Sequence, residues 1–204
     1  MPRNAPFTAH VPGLRNKEGI RHDVVGVGNA LVDIIAMVPE SFLDNHEMVK
    51  GSMALIETDR ALLLTRMIGD STRSSGGSGA NTVAGVANLG GDAAFVGKVS
   101  DDDLGREFAE GLSLLGVDFH TGGLDVDVPT GRCVIAVTPD AQRTMNTFLG
   151  SSSLISFDDV DDQVVIGGAV LYLEGYVFDL PDAKAAFHSA AALAHEHGRV
   201  VSLT

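Results

Sequence analysis

Ala169-Val170-Leu171-Tyr172-Leu173-Glu174 and Arg199-Val200-Val201-Ser202-Leu203 bracket a segment that starts at Pro181 and carries Ala183, Ala186, Phe187, Ala190 and Leu193 at helical spacing. An apolar strand, an amphipathic helix reaching about His197 and a second apolar strand make a β-α-β crossover, which joins parallel strands. Working outward, Asp23-Val24-Val25-Gly26-Val27 reads as a buried first strand and Ala93 to Val99 as another. Val32 to Val38 and Ser52 to Glu57 read as further strands, the latter feeding a helix from Thr58 to Ile68 that Thr58 would cap. Gly76-Gly77-Ser78-Gly79 opens a small-residue helix, Ala80 to Leu89. Ser100-Asp101-Asp102-Asp103 reads as a capping box ahead of Leu104, Phe108, Leu112 and Leu115, with Gly116 as the stop. Arg132 to Thr138 and Arg143 to Phe148 flank the turn Pro139-Asp140-Ala141-Gln142 and read as an antiparallel pair. The fold class is α/β: a central, mostly parallel sheet flanked by helices, with a few strands that break the alternation.

The chain of 204 residues is long enough for one domain with a real core, and its 45% hydrophobic and 20% charged residues fit a soluble globular protein. No apolar run is long enough to span a membrane. Fourteen Lys+Arg against 27 Asp+Glu give a net charge of −13, which repels nucleic acid and anionic membranes. The single Cys133 cannot form an internal disulfide and fits a cytoplasmic location. Residues 1–22 carry Pro2, Pro6, Pro12 and four basic residues without an apolar core, so a flexible N-terminal tail is expected rather than a secretory leader. Val200 to Leu203 would be a costly bare edge strand at a chain terminus, so the chain is expected to be truncated.

Four local patterns bear on chemistry. Gly26-Val27-Gly28-Asn29-Ala30-Leu31 begins like a dinucleotide fingerprint, but Leu31 stands where the third glycine belongs. What remains is a strand end presenting Asn29 and Asp33. An aspartate accepts two hydroxyl hydrogens and an asparagine both donates and accepts, which suits a neutral polyol; Asp33 as a turn or cap residue is the alternative. The glycines of 76–79 let backbone amides approach a sugar or an anion at a helix N-terminus, or simply make a flexible loop; the Lys-Ser/Thr ending of a P-loop is absent. His195-Glu196-His197 puts its histidines on different sides of a helix, and Asp158-Asp159-Val160-Asp161-Asp162 lacks calcium-loop spacing, so no metal site is expected.

Gly28-Asn29 with Asp33, Lys50-Gly51-Ser52-Met53, Gly76-Gly77-Ser78-Gly79-Ala80-Asn81, Gly90 and Phe95-Val96-Gly97-Lys98-Val99 together resemble the ribokinase/PfkB carbohydrate kinase family. Gly28 to Asp33, Pro129-Thr130-Gly131-Arg132-Cys133 and Tyr172-Leu173-Glu174-Gly175-Tyr176 are more similar to its adenosine-kinase-like branch. Val83 and Ser100 depart mildly from the family pattern. The resemblance covers roughly residues 23–204, and the family's Gly-Ala-Gly-Asp motif, with its catalytic base, does not occur in this sequence.

The resemblance implies a ribokinase-like domain over residues 23–204 lacking its C-terminal part, with lid strands within 34–57 and 131–148. It implies ATP-dependent phosphotransfer, with Mg²⁺, to a hydroxyl of a sugar or nucleoside. Asp33 would grip vicinal hydroxyls, Asn29 would assist, and Gly76, Gly77 and Asn81 would complete the contact. Arg132, Arg143 and Phe148 are possible substrate or lid contacts, the two arginines reaching an anionic substrate or merely decorating an edge. Base-stacking residues would come from positions such as Phe42, Phe148 or Phe178. A homodimer through the lid is a further implication. The alternative reading is a non-catalytic sugar- or nucleoside-binding module or an inactive kinase fragment.

Overall fold

The structure is a computed structural model describing residues 11–16, 18–120 and 127–204. In chain order the elements are β1 (His22–Val27), β2 (Leu31–Met37), α1 (Glu40–Asn45), β3 (Met53–Leu55), α2 (Thr58–Met67), β4 (Thr72–Gly76), α3 (Ser78–Asn88) and β5 (Ala93–Val96). They continue with α4 (Asp103–Leu114), β6 (Val117–His120), β7 (Gly131–Val137), β8 (Arg143–Phe148), α5 (Asp162–Gly167), β9 (Gly168–Leu173), α6 (Pro181–Glu196) and β10 (Val200–Leu203). One sheet, ordered β10-β9-β1-β5-β6, is parallel throughout. The other, ordered β3-β8-β7-β2-β4, is mixed: β2 runs parallel to β7, while β4 pairs antiparallel to β2 and β8 to β7.

The crossover β9-α6-β10 forms as its spacing dictates, burying Ala183, Ala186, Phe187 and Ala190 against Val25, Val27, Leu171 and Leu173. On the other side of the parallel sheet a second core joins both sheets. Phe95 and Phe108 are fully buried there, beside Val83 of α3, Leu64 of α2 and Val32, Ile34 and Val134 of the mixed sheet. Truncating either phenylalanine to alanine would cost about 3–5 kcal/mol.

Several local expectations change. The cap of α2 is Glu57, with Thr58 already helical. The cap of α4 is Asp102, whose carboxylate accepts from the Gly105 amide at 2.8 Å; Ser100 instead donates its hydroxyl to Val128 O and its amide to Thr130 Oγ1. Ser100 cannot cap because the carboxylate two residues later already takes the first-turn amide. Strand β4 is an extra edge strand of sequence Thr-Arg-Ser-Ser-Gly, held by its ladder to β2 and not by apolar burial. From Arg15 onward the N-terminal segment is attached: Arg15 N donates to Gly198 O, and buried Arg199 donates to the carbonyls of Ile166, Asn16 and Glu18. Within the tail expected over residues 1–22, Arg15, Asn16 and Glu18 are thus bonded to the α5 and α6 ends, and residues 1–10 and 17 lie outside the described residues. Among the described residues, no helix is long and apolar enough to cross a membrane.

Glu174, directly after β9, is 1% exposed, and no lysine or arginine bonds to it among the described residues. Its carboxylate accepts from the Asn29 amide through one oxygen and from the Ser78 hydroxyl and Gly79 amide through the other. One side chain thus ties the end of β9 to the β1–β2 junction and to the start of α3. Buried charge is tolerated only when its hydrogen bonds are met, and the α3 dipole adds to them. Glu174→Gln places an NH₂ opposite one of these donors. We expect it to lower stability by about 2–3 kcal/mol, read as a lower urea midpoint; an unchanged midpoint would contradict this account.

Candidate functional site

A cleft of about 270 Å³ lies where the ends of β1 and β9 meet the mixed sheet. Ligands in α/β folds sit at such carboxyl ends of parallel strands. A wider groove of about 510 Å³ beside Arg21, His197 and Arg199 has less chemistry to offer, since the Arg199 guanidinium is already engaged by three backbone carbonyls. The cleft has a polar end formed by Asn29, Asp33, Gly77, Ser78 and Glu174. Its other walls are largely apolar: Leu31, Met53, Leu55, Met145, Leu149 and Tyr176, with Cys133 and Thr147 between them.

Asp33 is positioned by two ladders, opposite Ser74 on β4 and Cys133 on β7. Alternation along β2 sends Leu31 and Asp33 to the cleft while Val32 and Ile34 enter the core. Burial pushes the Asp33 carboxyl above its ordinary pKa, and the positive charge of Arg143 opposes that rise. Neighbouring Cys133 is buried, accepts a hydrogen bond from Thr147 at 3.3 Å and has its thiol pKa pushed up to about 11 by burial.

The glycine pair 76–77 permits this packing. A Cβ on Gly76 would lie 2.5–2.6 Å from the Asp33 carboxyl atoms, and Gly77, at φ +96°, would put one 2.4 Å from Asn29 O. Any side chain at either position would push β4 and α3 off β2. Asn29 is buried, with its Oδ1 3.0 Å from Ser152 Oγ.

The structure therefore gathers Asn29, Asp33 and Gly77 in the lining of one cleft, and Gly76, outside that lining, packs against the Asp33 carboxyl. Asn81 is exposed on α3 and absent from the lining, its amide donating to Gly77 O as part of the first turn. Arg132 is not a cleft residue either: Cys133 faces the cleft, so Arg132 faces inward, buried, donating to Thr130 O and feeling the Asp102 charge. Phe148, between cleft-facing Thr147 and Leu149, is buried on the opposite face for the same reason. Arg143 shares a face with Met145 and Thr147, exposed, and its charge reaches Asp33 and Cys133. The expected stacking aromatics are also elsewhere. Phe42 packs on the core and His46, and Phe178 packs on Phe187 and His188.

Glu174 was the main residue not singled out for the site. Its signal was an acid following an unbroken apolar strand, at the same sheet end as Asn29. Met53, Leu55 and Met145 carry no signal, because apolar residues in short strands read as core, and Tyr176, in the turn Gly175–Val177, stands only in the stretch that carries the resemblance.

Against known proteins, residues 64–204 match the pfkB family carbohydrate kinase description. The chain is 48% identical to the adenosine kinase from Sinorhizobium meliloti, with a TM-score of 0.81 over 89% of this chain and 56% of that one. It is 44% identical to a probable sugar kinase protein from Rhizobium etli CFN 42, with a TM-score of 0.82 over 90% of this chain and 56% of that one. Fructokinase-1 of Zea mays is 29% identical over 132 residues, which are 64% of this chain and 41% of that protein. The chain thus spans about half the length, or less, of the relatives it matches. The matched region and the ribokinase-like α/β fold agree, and the chain belongs to the pfkB family of carbohydrate kinases.

Proposed function

We propose that this chain supplies the acceptor-binding half of an ATP-dependent kinase that phosphorylates a hydroxyl of a sugar or nucleoside, with the mixed sheet serving as its lid. The observation that carries the reading is a half-buried carboxylate, Asp33, packed against bare glycine backbone in a cleft at the strand ends. Phosphoryl transfer depends mainly on positioning and on excluding water. Asp33 and Asn29 would orient the acceptor, Gly77 would allow close backbone approach, and the apolar walls would keep the cleft dry. Family membership supports ATP as the phosphoryl donor, and Mg²⁺ as its companion is part of the proposal. Among the described residues no three His, Cys, Asp or Glu side chains gather to hold a cation, so no step is assigned to the metal here.

The apolar walls favour a nucleoside over a free sugar. A hexose offers hydroxyls on every side and would leave Leu31, Met53, Leu55, Met145 and Tyr176 facing polar groups, whereas a heteroaromatic base covers them. The identity with the adenosine kinase supports the same choice.

Two measurements test the reading. Adenosine should raise the melting temperature of the chain at concentrations where ribose and fructose do not; a larger shift with fructose would reject the nucleoside assignment. Asp33→Asn should weaken adenosine binding by about 2 kcal/mol or more, because charge-assisted bonds are lost. The fold should remain as stable or gain stability near neutral pH: a carboxyl whose pKa is raised in the folded state is charged at a cost there, and that cost is relieved as pH falls through the raised value. For the same reason wild-type binding should fall on acidification at a higher pH than an exposed aspartate would give. Calorimetry finding equal affinity in the Asn variant would overturn the role given to Asp33.

A further inference from the structure

The cleft holds two kinds of sulfur, and they differ in what they need before they react. Cys133 must first lose a proton, and burial holds its thiol at about 11. A methionine thioether has no proton to lose and offers a sulfur lone pair at every pH. Two methionines line the cleft, Met53 on β3 and Met145 on β8, and they stand directly opposite each other in the β3–β8 ladder. The row continues inward from Met145 to buried Ile135 on β7, so Met53 is its outer end. Strand β3 is a sheet edge of three residues, and Met53 on it is 50% exposed. Of the other described methionines, Met37 and Met67 are exposed but outside the cleft lining, and Met48 is buried. Met53 thus combines open access from solvent with a place on the cleft wall, and β8 and β7 separate its strand from Asp33 on β2.

We propose that Met53 is an oxidation site through which peroxides switch off binding of the acceptor. The sulfur lone pair attacks one peroxide oxygen, an S–O bond forms as the O–O bond breaks, and the proton of the transferred oxygen passes to the departing hydroxide, which leaves as water. Sulfur is oxidised to the sulfoxide and the peroxide is reduced. The product carries a strong hydrogen-bond acceptor on a wall that a heteroaromatic base would cover. Seating the base strips water from that oxygen, and Leu31, Leu55 and Met145 have no side-chain donor to replace it. The inference rests on the functional reading above and adds a control to the same site: the far wall responds to peroxide while Cys133 is spared.

Hydrogen peroxide as oxidant and adenosine as ligand test the proposal on the 204-residue chain, with calorimetry for affinity and peptide mass spectrometry for the oxygen gained at each methionine. Affinity should fall about tenfold as Met53 is converted, the scale of one polar group buried without a partner. The rate at Met53 should stay level from mildly acidic to mildly basic pH, where attack on a thiol would accelerate. Adenosine bound beforehand should slow oxidation at Met53 and not at Met67, and a methionine sulfoxide reductase should restore affinity. Whatever its starting affinity, Met53→Leu should lose less than about twofold on treatment, whereas Met67→Leu should lose as much as the wild type. Full conversion of Met53 with unchanged affinity, an equal loss in Met53→Leu, or no recovery with the reductase would each overturn the proposal. An untreated chain that binds neither adenosine nor any sugar would instead overturn the functional reading, and this inference with it.

Discussion

The fold around the cleft depends on one buried carboxylate that has to be satisfied. Helix α3 begins at glycine 77 without a side-chain cap and has no acidic residue in its first turn, so its exposed amides need a partner from elsewhere in the chain. Glu174 supplies it from the end of β9, 95 residues later in sequence than the Gly79 amide it accepts from. Its second oxygen takes the amide of Asn29. A negative group at a helix N-terminus is favoured by the dipole, and low local polarity strengthens each bond while penalising its loss. The position of Asn29, the approach of Gly77 and the opening of the cleft are all consequences of where that carboxylate is anchored.

The mixed sheet is fixed in another way. Its inner face shares a core with α2, α3 and α4, through Leu64, Val83 and Phe108, and its outer face contributes Asp33, Cys133, Met145 and Thr147 to the cleft. Every inward residue of β2 and β7 therefore determines, by parity, which neighbours face the ligand side. A sheet so embedded holds Asp33 on a rigid support.

Parity also explains what the sequence reveals and what it conceals. The β9-α6-β10 crossover, β1 and the β7–β8 pair are legible because runs of apolar residues mark them. Strand β4 is not, since Thr72 to Ser75 are polar and become a strand only by pairing with β2. Asn29, Asp33 and the glycine pair are legible as site candidates because polar residues at a strand end and consecutive glycines before a helix are unusual for a core. Arg132 and Phe148, expected only as possible substrate or lid contacts, are absent from the cleft lining. Composition says that such side chains suit a ligand, but only the register of β7 and β8 says that Cys133, Thr147 and Leu149 face it instead. Glu174 was hidden because a charged residue after a strand normally marks the surface, and nothing local announces that three donors from distant segments converge on it.

Cys133 adds a chemical property to the cleft wall. With its thiol pushed up to about 11, the nucleophilic thiolate is a very small fraction of the population near neutral pH. Peroxides, disulfides and alkylating agents react through that thiolate, so its scarcity slows their attack on this sulfur although it lines the cleft. The wall beside Asp33 should accordingly keep its shape through oxidative episodes that would disable a site built around an ordinary surface cysteine.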